Sequence, residues 1–213
     1  MPIETFLEIA GAASALLLLA GLSAGQLNGE WRIWPAPPAG SLKSFGVWTL
    51  FRTLNVVVLV LGIERFLTTL SGPALPLRVA LAAVSAIAGI AYVNALWSLG
   101  RKATYCQASG LATGGIYRWT RNPQYATAIA AFATLGLAAA AWDATLLAAA
   151  LVAVYAMMAI AEEPWLEARY GSDYLAYKAE VPRFFNFRHG VATLAAIAAK
   201  KEPSLVRGPE SKR

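Results

Sequence analysis

The sequence predicts an all-α, polytopic membrane protein of about five transmembrane helices, followed by amphipathic C-terminal helices. Of its 213 residues, 58% are hydrophobic and only 14% charged, against about 25% charged in a typical soluble domain. Mean hydropathy is +0.52. The apolar residues gather into separate runs long enough to cross the roughly 30 Å hydrocarbon layer as helices, and no stretch alternates as a strand would. Residues 1–201 read as one membrane-embedded domain and residues 202–213, EPSLVRGPESKR, as a charged disordered tail.

The first span is expected over residues 6–27. Glu4 and Glu8 stand at its start with no Lys or Arg before it, which argues for a retained helix over a cleaved signal. The link from Gln26 to Lys43 contains Pro35, Pro37 and Pro38, which exclude a helix, and Trp31 and Trp34, which suit an interfacial belt. A second span over 45–61 carries Thr49, Arg52 and Asn55 at every third residue, along one helical face. An intramembrane Arg is costly unless it faces a polar cavity or snorkels to the headgroups, so Arg52 has those two readings. Ser71, Gly72 and Pro73 then turn the chain into a third span over 75–99.

After a basic, glycine-containing loop, Pro123 opens the fourth span, 123–141, in the first-turn position where its missing N–H is harmless. Trp142-Asp143 is the expected turn into a fifth span, 144–161. Two alanine-rich helices joined so closely form an antiparallel hairpin, which carries residues 121–125 back beside Glu162-Glu163. Tail helices are expected over 164–201, starting at Pro164. Gly171 would end the first of them and Asp173 would cap the second, and both lie on the bilayer surface.

The basic residues set an orientation. With five spans and the N-terminus outside, all 18 Lys and Arg fall on the inner side except Arg52, within a span, and Arg65 and Arg78. That asymmetry places the N-terminus outside and the C-terminus in the cytoplasm, with a bacterial inner membrane as the expected setting. The net charge of +6 is spread over loops and tail, which fits anionic lipid headgroups and an anionic cofactor and gives no reason to expect nucleic acid. Cys106 is the sole cysteine and His189 the sole histidine, so neither a disulfide nor a metal site is expected.

The candidate site is GGIYRWTRNPQY, residues 114–125, together with Glu162 and Glu163. It gathers Gly114 and Gly115, Arg118 and Arg121, Asn122, Tyr125 and two adjacent carboxylates at one membrane face. The arginines also read as topological anchors and the acids as a hydrated helix end. Carboxylates at a helix C-terminus are repelled by the dipole, however, so a cationic partner is expected, either Arg121 or a ligand. From the residues alone, this is a polar ligand pocket at the inner face of a helical membrane protein.

The ordered combination of that motif, a hairpin, Glu-Glu, a tyrosine-rich segment and Val-Pro-Arg resembles the integral-membrane methyltransferases that include isoprenylcysteine carboxyl methyltransferase and the phospholipid N-methyltransferases, over residues 96–184. The resemblance implies S-adenosylmethionine bound at the cytoplasmic face. Gly115, Tyr117, Arg118, Arg121, Asn122, Pro123 and Tyr125 would form the cofactor motif, and Glu162 and Glu163 the paired acids. A lipophilic acceptor, a phospholipid amine or an isoprenoid or thiol compound, would enter from the bilayer. Glu163 is assigned as general base and Arg52 as the second catalytic candidate. Asn122 stands where the carboxyl-methylating branch has His, and AMMAIA, residues 156–161, lacks the basic residue expected there. The alternatives are a membrane sterol or enone reductase using NADPH and a non-enzymatic assembly factor on the same scaffold.

Overall fold

The computed structural model describes residues 1–38, 40–104 and 110–184. These form five helices, α1 (Ile3–Leu27), α2 (Leu42–Thr68), α3 (Leu75–Thr104), α4 (Pro123–Ala139) and α5 (Trp142–Glu180), with short 3-10 turns at Gly29–Trp31 and Gly115–Arg118. Among the described residues there is no strand. The tail expected to be disordered, and most of the second tail helix, lie outside the described residues.

Four of the helices, α1, α2, α3 and α5, are long and apolar enough to cross a membrane. α4 has 17 residues, about 26 Å at the helical rise, slightly less than the hydrocarbon thickness. It is nonetheless the centre of the bundle. Ala128, Ala138 and Ala139 are fully buried, and α4 packs against α2, α3 and α5. In lipid no hydrophobic force drives helices together, so close contact between small residues must do so. A Cβ on Gly136 would come within 2.6 Å of Ala148 Cβ on α5, and one on Gly62 of α2 within 2.8 Å of Leu135 on α4.

Three expectations are corrected. The turn between α4 and α5 is Ala140-Ala141, with Ala140 left-handed at φ 54°, whereas Trp142-Asp143 already forms the first turn of α5. Pro164 does not begin a separate tail helix. α5 runs through it, and the break falls seven residues later at Gly171, with φ 53° and ψ −129°, a conformation that only glycine adopts readily. The first twenty residues of α5 suffice to cross the hydrocarbon, so Glu162 and Glu163 stand just beyond the span on a helix that continues outward. Finally, Trp31 is exposed as a belt residue should be, but Trp34 is buried, its ring packed edge-on against Trp48 of α2 at 5.7 Å.

Charged groups fasten the bundle at the end opposite the motif. Arg78, in the first turns of α3, is only 5% exposed. It donates to Ala138 O at 2.8 Å, to the Thr69 hydroxyl at 2.6 Å and to the Thr69 carbonyl, so one cation meets the negative ends of both α2 and α4. Arg65 of α2 reaches Asp143 of α5 at 2.9 Å and Glu4 and Glu8 of α1 at 3.1 and 3.3 Å. With these ends pinned, the α4–α5 crossing sets how closely the motif approaches the acid pair. Replacing Gly136 by Val should force that crossing apart at a cost of about 1–3 kcal/mol, seen as a lowered thermal midpoint of the detergent-solubilised protein. An unchanged midpoint would show that the crossing is not close-packed.

Candidate functional site

The motif does two things before it reaches any ligand. Its first half is a turn: Gly115 takes φ +60° and starts the 3-10 segment that buries Tyr117. The Tyr117 hydroxyl donates to Gln124 Oε1 at 3.2 Å, and the Tyr117 carbonyl accepts from the Tyr177 hydroxyl at 2.6 Å. Burial pushes both hydroxyls above their usual range, so they stay protonated and keep donating. Its second half docks the chain that follows α5. Arg121 N donates to Pro182 O at 2.9 Å, the Thr120 hydroxyl to Arg183 O at 2.9 Å and the Asn122 amide to the same oxygen at 3.2 Å. The Arg121 guanidinium adds bonds to the carbonyls of Lys178 and Val181, at the C-terminus of α5, where the helix dipole favours a cation.

Glu163 completes this docking. Its carboxylate accepts from Arg121 at 2.7 Å, from Arg183 at 2.6 and 2.9 Å, and pairs with Lys178 at 3.1 Å. Burial alone would raise its pKa, but the hydrogen bonds from Arg183, Arg121 and Lys178 outweigh burial and hold the carboxyl at about 2. The expected cationic partner is therefore present threefold. The helix-end repulsion foreseen from the sequence does not arise, because α5 continues past the acids. A carboxylate so fully engaged is poorly suited to take up a proton.

Glu162, the neighbouring residue, points elsewhere. Its Oε2 accepts from the Tyr125 hydroxyl at 2.7 Å. Burial holds its carboxyl above the usual glutamate range, against the Tyr125 hydrogen bond and the nearby Trp34 indole N–H, which does not meet hydrogen-bond geometry. Glu162 and Gln124 form the common wall of two pockets. The larger, about 680 Å³, lies between α2 and α3 with α4 and α5 behind it, a volume within the usual range for a ligand cavity. Arg52 and Asn55 line it, so the polar stripe read from α2 does face a cavity, although Thr49 is exposed outside it. Asn55 accepts from Tyr155 at 2.7 Å, and Tyr155 is itself ringed by Phe51, Tyr92, Tyr125 and Phe132.

The smaller pocket, about 60 Å³, opens on the other side of Glu162, among Arg121, Asn122, Trp165, Tyr174 and Tyr177. Two buried polar atoms there, the Tyr174 hydroxyl and Arg121 Nε, lie close together without a well-formed hydrogen bond.

Of the residues expected at a cofactor site, Tyr117, Arg121, Asn122 and Glu162 line the small pocket. Tyr125 faces the large cavity, Pro123 is buried at the start of α4, and Gly115 and Arg118 are exposed on the turn. Glu163 lines neither pocket. Sequence reasoning missed Gln124, Trp34, Lys178, Arg183 and Tyr174 as site residues. Arg183 lay within the Val-Pro-Arg segment, and Gln124 between two motif residues, so both had a signal. Trp34 had none, being brought in from a loop more than a hundred residues away.

Fold and site together describe an all-α integral membrane protein in which a lipid-facing cavity and a small polar pocket share one acidic wall. Residues 77–173 match the phospholipid methyltransferase family, consistent with an integral-membrane methyltransferase family as the motif and the acid pair implied. The matched stretch takes in α3 from residue 77, α4, the motif and both glutamates. No curated protein and no solved structure matches the chain.

The Glu163 cluster has a testable pH dependence. Because its folded-state pKa is depressed to about 2, its stabilisation is fully present above the ordinary glutamate value and is lost as pH falls from there through about 2. Glu163→Gln should cost about 3 kcal/mol and remove that acid sensitivity, measured as the thermal midpoint of the detergent-solubilised protein as pH falls from about 5 to about 2. Equal acid sensitivity in wild type and variant would refute the assignment.

Proposed function

We propose that the protein transfers a methyl group from S-adenosylmethionine to the amine of a membrane lipid at the bilayer face that carries the motif. The observation that carries this reading is the shared wall: Glu162 and Gln124 border both the polar pocket and the lipid-facing cavity. A soluble donor and a membrane-borne acceptor can thus meet at one carboxylate. The family match over residues 77–173 supports the same reaction class.

The residues of the small pocket fit the donor. Arg121 Nε and the Tyr174 hydroxyl are buried with unused hydrogen-bonding capacity and suit an amino-acid carboxylate. Trp165, Tyr174 and Tyr177 offer aromatic faces to a sulfonium and a base. At about 60 Å³ the pocket must widen to admit it, by outward movement of the half-buried Trp165 and Leu166. When bound, the cofactor supplies an electrophilic methyl carbon on a cationic sulfur. The acceptor nitrogen forms the new C–N bond with its lone pair as the methyl–sulfur bond breaks, and that bonding pair stays on sulfur. The protein's own part is positional. The cavity holds the acceptor in line with the small pocket. Glu162, with one oxygen fixed by Tyr125, holds the ammonium and receives its proton before attack. Glu163 keeps the tail docked and the small pocket formed. The loop charges support placing this face in the cytoplasm.

A nicotinamide cofactor carrying phosphates would need several cations. Among the described residues lining the small pocket Arg121 is the single one, and it is already bonded to Glu163.

Calorimetric titration of the detergent-purified protein with S-adenosylhomocysteine should show saturable binding, weakened about tenfold by Tyr174→Phe. Glu162→Gln should retain that binding while lowering methyl transfer roughly a hundredfold. Binding of NADPH in place of S-adenosylhomocysteine would overturn the proposal.

A further inference from the structure

The large cavity is apolar along most of its depth. Val56, Leu59, Ile63 and Phe66 of α2 line one side at helical spacing, opposite Ala82, Ala86 and Gly89 of α3. From Arg52 to Phe66 the groove is about 21 Å deep at the helical rise, and outside its lining Arg78 lies 5.5 Å from the Phe66 ring. Val56, Leu59 and Ile63 are each more than two-fifths exposed, so the groove is open along its length and accepts a hydrocarbon chain from the side.

Two charged residues line this cavity among those described, Arg52 and Glu162, and both belong to its motif end. They do not pair with each other. The Arg52 guanidinium lies 5.7 Å from the Trp48 ring, Trp48 packs 5.7 Å from Trp34, and Trp34 approaches Glu162. Trp48 and Trp34 thus connect the cation to the carboxylate through a chain of contacts. Arg52 is exposed at this end of the groove, and an arginine at the depth of a span that pairs with no described carboxylate carries a desolvation cost. A ligand that brings an anion to it, and an ammonium to Glu162, would offset that cost.

We infer that Arg52 is the specificity-determining residue of the acceptor cavity: its guanidinium binds the acceptor's phosphate while Glu162 holds the amine, so that the nitrogen is set at the wall of the small pocket. The inference rests on the methyl-transfer reading for the fate of the nitrogen, but not for the binding of the phosphate. Arg52 selects amine lipids that carry an anionic group a short spacer from the nitrogen over long-chain amines that carry none. Planar, bidentate recognition of a phosphate favours guanidinium over ammonium, so lysine is an imperfect substitute.

The test is calorimetric titration of the full chain, in non-ionic detergent free of phosphate, with dihexanoyl phosphatidylethanolamine and with dodecylamine. Arg52→Gln should weaken binding of the first by at least about tenfold and of the second by less than about twofold, with Arg52→Lys intermediate. An unchanged thermal midpoint shows that the variants are folded. In turnover with S-adenosylmethionine, Arg52→Gln should raise KM for the phospholipid amine and leave kcat within about twofold, as loss of uniform binding does. Equal weakening of both probes, weakening of neither, or no binding of the phospholipid by the wild type would overturn the inference. Selective binding without any methyl transfer would leave Arg52's role standing and remove the proposed activity. Methyl transfer with the same KM in Arg52→Gln would do the reverse.

Discussion

The carboxylate of Glu163, held by Arg121, Arg183 and Lys178, is the interaction on which the site depends. It joins the start of α4, the middle of α5 and the chain beyond α5. It reinforces the hydrogen bonds from residues 120–122 to the carbonyls of Pro182 and Arg183. A buried carboxylate with three cations gains from each bond only because the others also satisfy it, and losing one partner leaves charge uncompensated. The small pocket is a consequence of this docking, since Tyr174 and Tyr177 belong to the segment that it holds in place.

Adjacent residues on a helix diverge by about 100°, and this separates the fates of the two glutamates. Glu163 turns toward the basic tail and becomes a structural anchor. Glu162 turns toward Tyr125 and the cavity, and becomes the boundary between the two pockets. A pair that reads as one feature in the sequence is two features in space. Glu163, expected from its position beside the motif to act as a base, is fully engaged by its three cations, and in the proposed reaction that part is given to Glu162.

The lipid-facing cavity exists because the bundle is fastened elsewhere. Arg78 binds the ends of α2 and α4, Arg65 ties α1, α2 and α5, and glycine contacts draw α4 against α2 and α5. α2 and α3 are left with a groove between them, its α3 side lined by small residues. Helices in lipid feel no hydrophobic drive to close such a gap, so it persists without a strut and can be filled by a chain from the membrane itself.

What the sequence by itself determined is what depends on local order. Apolar run length set the helices, Pro123 set the start of α4, Gly171 set the break in the tail, and the motif with its paired acids marked the candidate site. Boundaries failed where a local signal was outweighed. Pro164 marks the expected start of a separate tail helix, yet α5 runs through it and breaks only at Gly171. What only the tertiary structure decided is which charges meet. Arg183 and Lys178 were visible as basic tail residues and Trp34 as a belt residue, but their partners lie on other elements. Pairing across elements follows from helix rotation and the hairpin crossing, and a rotation of one residue, which periodicity does not resolve, is enough to exchange Glu162 for Glu163 at the cavity wall.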